Sequence, residues 1–247
     1  MKRKIGSSIC ALLVCATALA QTPAAAKAPS ANASQSSKAG NSADLERALD
    51  AMDKAAQNFK TAQADFVWDQ YSKVVDEHDF QKGVVYYRVS GKEVQMAADI
   101  TDPGKKLVLF TNGKVDVYQP QIEQVTEYNA GKNKTEFESF LVLGFGGSGH
   151  DLEKSFNVSY GGQETIQGVA TDKLILAPKL EKIRNMFAQI VLWIDPARGV
   201  SVQQDFIEPS GDYRLAKYTN IKINQKIPDD VFKLKTTGKT KVVRPQG

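Results

Sequence analysis

Beyond residue 15 the chain contains no cysteine: Cys10 and Cys15 are its only two. The bulk of the protein therefore forms no disulfide, binds no metal through thiolates and offers no thiol nucleophile. Histidine is almost as scarce. His78 lies in an acidic segment and His150 beside a glycine-rich one, so neither forms a ligand pair or a catalytic triad with a neighbour. Nor does any apolar run approach the ~20 residues that a membrane-spanning helix needs. No excess charge of one sign marks a nucleic-acid surface: without Lys2, Arg3 and Lys4, the 32 basic residues fall to 29, against 28 acidic ones. The basic residues near the C-terminus (Lys233, Lys235, Lys239, Lys241, Arg244) read as a solvated tail. No metal, cofactor or enzymatic chemistry is expected.

What is present begins with an export signal. Lys2, Arg3 and Lys4 precede an apolar run from Ile9 to Ala20, and Ala18-Leu19-Ala20 places small side chains where a signal peptidase reads. Residues 1–20 are expected to be cleaved, leaving a soluble periplasmic protein. Val14 stands before Cys15 where lipoprotein processing requires a small residue, so no lipid anchor is expected. Residues 21–42, built of Ala, Ser, Pro, Asn and Lys, cannot bury enough apolar surface to offset their ordering entropy and read as a disordered linker. Residues 43–247 then form a single domain.

That domain opens with a helix. Leu45, Leu49, Met52, Ala56 and Phe59 recur at three- and four-residue spacings, giving one apolar stripe over 44–59. After Thr61 the pattern is mainly β. Phe66-Val67-Trp68 begins a strand that Asp76–Asp79 ends as a turn, and Gly83–Val89 forms the next. Val94, Met96, Ala98 and Ile100 alternate with polar or small residues, as a half-buried strand requires. Asn112-Gly113, between Leu107–Phe110 and Val115–Tyr118, is the strongest hairpin signal. Further strands are expected at 156–160, 171–176, 190–194, 201–207 and 213–223. Residues 135–143 and 151–156 read as short helices, and 180–187 as a helix or a hairpin arm. Gly144–Gly149 matches G-x-G-x-x-G, but it opens no βαβ unit, and a flexible hinge is the expected reading.

One ordered set of segments resembles a known family. Asn112-Gly113-Lys114 leads into Tyr118-Gln119-Pro120 and then Gln124-Val125. Ala64-Asp65-Phe66 follows the opening helix, Leu192-Trp193-Ile194-Asp195 precedes a strand, and Tyr218–Asn224 runs on to Ile227-Pro228 and Val231-Phe232. Together, over 43–243, these are similar to the LolA family of periplasmic lipoprotein carriers. The resemblance implies a mainly β (α+β) fold: a strongly curved antiparallel sheet forming an incomplete barrel, with an N-terminal helix and short lid helices. It implies a cavity for the acyl chains of lipoproteins, or another amphiphile, lined by Phe66, Trp68, Val94, Met96, Ala98, Ile100, Val115 and Val117. Phe137, Phe140, Leu141, Leu143 and Phe145 would form the lid, swinging on the following glycines. Arg88 is nearest the family's lid-contacting arginine, with Val89 where the family has proline. An inner-membrane ABC release complex and an outer-membrane acceptor would be its partners, with the protein a monomer. The alternative is a periplasmic sensor or regulatory domain of the same fold, binding an amphiphile or a protein.

Overall fold

The computed structural model describes residues 32–245, apart from Lys92 and residues 130–142, and side chains from Asn41 onward. Helix α1 (Asn32–Asn58) is followed by β1 (Thr61–Ser72), β2 (Glu77–Ser90), β3 (Glu93–Asp102), β4 (Lys106–Thr111), β5 (Lys114–Gln119) and β6 (Gln124–Asn129). The short helix α2 (Gly149–Ser155) leads to β7 (Phe156–Ile166) and β8 (Val169–Pro178). One turn of helix, α3 (Glu181–Arg184), precedes β9 (Gln189–Asp195), β10 (Val200–Ile207), β11 (Tyr213–Ile223) and the three-residue β12 (Lys241–Val243).

The twelve strands of the described residues form one sheet in the order β12-β6-β5-β4-β3-β2-β1-β11-β10-β9-β8-β7. Neighbours are antiparallel except β12 and β6, which pair in parallel. The two ends, β12 and β7, do not meet, so the barrel is incomplete. Apart from β12, each half of the sheet is a meander of sequence neighbours, and β1 and β11 join the halves, with Phe66 opposite Tyr218 and Trp68 opposite Ala216. Curvature has local causes. Register shifts between Gln63 and Asp65, Lys82 and Gly83, Tyr160 and Gln163, and Ser201 and Gln203 add bends that regular pairing lacks. At Gly83 a Cβ would lie 2.0 Å from the Asp99 carbonyl oxygen, so the kink requires glycine.

Both faces carry core. On the concave face, one cluster groups Phe59, Phe66, Val85, Met96, Phe110 and Phe145; a second packs Leu49 and Met52 of α1 and Ile183 against Leu174, Leu176, Ile190 and Leu192. On the convex face, Ile227 and Phe232 cover Ala97 and Leu109.

Several expected boundaries move. Helix α1 starts at Asn32, so the second half of the expected linker is helical. Ala48, fully buried, joins the apolar stripe. The first hairpin turns at residues 73–76, not 76–79, because Ser72 pairs with Glu77, placing His78 and Asp79 in β2. At the β4–β5 hairpin, Asn112 and Gly113 take φ of 54° and 77°, the left-handed pair a two-residue turn needs. The short helix expected at 135–143 lies outside the described residues except for Leu143. Of the expected helix 151–156, residues 151–155 lie in α2 and Phe156 opens β7, and only 181–184 of the 180–187 segment is helical.

Candidate functional site

A cavity of about 240 Å³ opens on the concave face where the two halves of the sheet meet. Alternation along the central strands creates it. Trp68 (β1), Tyr87 (β2), Met96 (β3) and Ala216 and Tyr218 (β11) project to the same side, and Phe187 and Phe206 close the flank. Its rim is polar: Gln70, Asp79, Gln81 and Arg214 lie one or two rungs along the same strand faces. Trp68 packs against Phe66 with ring centroids 4.5 Å apart. An apolar floor with a few polar groups at the mouth is the usual lining of a small-molecule site.

Phe145 anchors the back wall. Fully buried, its ring stacks on Tyr87 at 4.8 Å and meets Tyr218 edge-on at 4.9 Å. The surrounding chain is fixed from both sides. Gly144 accepts a hydrogen bond at its carbonyl from the Ser201 amide (2.8 Å), and the Gln204 side-chain amide donates to the Leu143 carbonyl. Tyr218 Oη in turn donates to Gln204 Oε1 at 3.1 Å. Burial pushes the Tyr87 hydroxyl up to about 12 and Tyr218 well above its ordinary value, so both phenols stay neutral.

This arrangement revises the hinge. Gly144 and Gly146 have φ of 75° and 81°, and a Cβ on Gly146 would lie 2.3 Å from the Phe59 ring. At Gly149 a Cβ would come within 2.4 Å of the Leu49 carbonyl oxygen. The glycines permit close approach and left-handed turns in a packed segment, not free swinging. Leu143 and Phe145 are accordingly core residues, 4% and 0% exposed; Phe137, Phe140 and Leu141 lie outside the described residues.

The other expected cavity residues divide by depth. Trp68 and Met96 line the cavity, whereas Phe66, Ala98 and Ile100 are buried in the concave-face core beneath it. Val115 packs against that core, and Val94 and Val117 are half-buried on β3 and β5. Arg88 requires correction. It projects from the convex face, where its guanidinium donates to Asp229 Oδ1 (2.6 Å) and Gln95 Oε1 (2.8 Å) and lies 4.3 Å over the Phe232 ring. From there it holds the C-terminal segment and does not reach the cavity.

Tyr87, Phe187, Gln204, Phe206, Ala216 and Tyr218 were missed by sequence reasoning. For Tyr87, Ala216 and Tyr218 the signal is the alternation within Val85–Val89 and Arg214–Tyr218, which becomes a site only once β1 is known to pair with β11; Gln204, Phe206 and Phe187 join it only through the pairing of β10 with β11 and the packing of Phe187 on Phe206. Asp50, Asp53 and His150 bring possible ligand atoms within 4.8 Å of one another. Asp53 is already engaged by Ser148 Oγ and by the backbone amide and ring of His150. None of the described helices is long and apolar enough to cross a membrane.

An open, curved sheet that packs helices over one end of its concave face and opens an apolar cavity at its central seam has the half-barrel architecture. The family model described as "outer membrane lipoprotein carrier protein LolA" matches residues 57–235, and the chain belongs to this family. Its members are carrier or binding proteins, and no catalytic family is indicated. Both a carrier and a regulatory role fit the fold. Among solved structures the chain is similar to MucB, at 14% identity and a TM-score of 0.51, covering 81% of this chain and 66% of that one. It is also similar to an uncharacterized conserved protein from Thermus thermophilus, at 14% identity and 0.51, covering 81% and 98%. No curated protein sequence matches it.

Proposed function

We propose that this protein is a periplasmic carrier that holds acyl chains of lipoproteins, or of a related amphiphile, on its concave face and passes them towards the outer membrane. The observation that carries the reading is the cavity between Trp68, Met96, Tyr87 and Phe187, apolar at its floor and polar at its rim. Membership of a family named for lipoprotein carriers supports it. The physical need is clear. Each buried methylene contributes about 0.8 kcal/mol, so one palmitoyl-length chain is held in a bilayer by roughly 10 kcal/mol and cannot cross water unaided at a useful rate. A carrier must present comparable apolar surface and still release it. Release from an inner-membrane ABC complex and delivery to an outer-membrane acceptor complete the proposed route. Residues 1–20 are proposed as the export signal, so the mature protein should begin at or near Gln21.

Native mass spectrometry of protein isolated from the periplasm tests the assignment directly. Co-purified lipid or acylated protein is expected on the wild type and lost from Met96→Glu and Trp68→Ala. Wild-type-like lipid binding by a folded Trp68→Ala variant would refute the cavity assignment.

A further inference from the structure

From Asn224 the chain leaves β11 and crosses the convex face as a strap before Lys241–Val243 pairs with β6. Arg88–Asp229 fixes its start, and Ile227 and Phe232 seal its centre against Ala97 and Leu109. Beyond that seal, strap and sheet part around a second cavity of about 380 Å³. Its floor is Tyr86, Leu107 and Tyr118, which share the convex side of β2, β4 and β5. This volume falls within the roughly 300–1,000 Å³ range of small-molecule sites.

The rim is charged and unevenly committed. Lys235 is paired with Asp230 at 2.8 Å. Lys105 and Lys233 have no carboxylate within ion-pair distance among the described residues, while Asp99 is the remaining acid of the rim. Lys105 and Lys233 thus border the aromatic floor without a direct ion pair, although the Lys233 charge also acts on Asp229 and Asp230 of the strap.

We propose that this convex-face cavity is a second ligand site, for a single-chain amphiphile with an anionic head. The chain lies on Tyr86, Leu107 and Tyr118, and the head sits between Lys105 and Lys233. The sheet itself separates it from the concave cavity, so the two sites fill independently, and this one does not depend on the carrier reading.

Calorimetric titration with dodecanoate below its critical micelle concentration tests the proposal, together with resonance shifts of the Leu107 methyls. The wild type is expected to bind at the convex site with a clear Leu107 shift. The exposed double variant Lys105→Glu/Lys233→Glu should keep the wild-type Tm and weaken that binding by about tenfold or more, since two attractions become repulsions. Trp68→Ala should leave the Leu107 shift intact. Dodecyl maltoside, with the same chain and a neutral head, should not shift Leu107. Unchanged dodecanoate binding by the double variant, or an equal Leu107 shift with the maltoside, would overturn the proposal. A total dodecanoate uptake unchanged in a folded Trp68→Ala variant would count against the carrier reading and not against this one.

Discussion

Replacing Arg47 by methionine keeps an unbranched stem on α1 but removes the guanidinium that ties the helix to the sheet. That group meets Asp172 of β8 through two hydrogen bonds, at 2.7 and 3.0 Å. The Asp172 side chain is fully buried, whereas Arg47 remains 44% exposed. Burial works against the Asp172 carboxylate, but Arg47, Tyr160 and Gln163 outweigh it and hold its pKa below the ordinary value. The two ends of the pair should therefore respond unequally. Arg47→Met strands a buried charge with only the Tyr160 hydroxyl and the Gln163 amide, a loss of about 3–5 kcal/mol at pH 7. Asp172→Ala leaves Arg47 free to hydrate, so about 1–3 kcal/mol is expected. Urea unfolding followed by Trp fluorescence measures both, and for a domain of this size the larger loss lowers Tm by about 10 °C. The pH dependence separates the mechanisms. In the wild type the depressed pKa gives stability that is present above the unfolded value and lost as pH falls through the folded one. In Arg47→Met the carboxyl is desolvated without its partner, so the variant's deficit should shrink as pH falls from 7 towards 4. Equal costs for the two single variants, or a deficit independent of pH, would refute the reasoning.

Asp205 runs the opposite way: burial, then Asp69, push its pKa up to about 6, and its Oδ1 has no hydrogen-bond partner. Folding then favours the protonated acid, so stability is lost as pH rises through 6, and Asp205→Asn should gain about 1–3 kcal/mol at pH 7 and nothing below pH 4. His150, bonded to Asp53 at 2.5 Å and Glu46 at 3.2 Å, should titrate near pH 8 by NMR. Its contribution is complete below the unfolded value of 6.5 and lost as pH rises through 8; His150→Gln should flatten that slope. Gly146→Ala should cost about 2 kcal/mol or more, since the residue is left-handed and its Cβ would strike the Phe59 ring; a neutral result by thermal melt would restore the flexible-hinge reading.

What could be read in the sequence was local. The stripe Leu45, Leu49, Met52 marks its helix because only a helical period puts those side chains on one face. Asn112-Gly113 marks its hairpin because few other pairs accept two left-handed residues. Alternation through Val94–Ile100 correctly gave one strand face, but not its depth, since alternation is blind to what lies above a strand. Ala62 and Ala64, too small to stand out, hid the start of β1, although both are buried. Gly144–Gly149 misled for a related reason: a glycine required by a close neighbour and a glycine required for motion are written with the same letter. The convex core depended on a strap whose apolar residues, Ile227, Val231, Phe232 and Leu234, only acquire partners across the sheet.

The seam between β1 and β11 sets a timetable. Trp68 and Ala216 face each other across it although most of the folded chain lies between them. Each half of the sheet can form from hairpins as it emerges, but closing so long a loop comes late in folding. A chain that still lacks residues 213–223 has Trp68 and Met96 in place and no Ala216 or Tyr218 opposite them. The concave cavity is thus among the last features to be made: a partly synthesised molecule holds one wall of it and waits for β11 to supply the other.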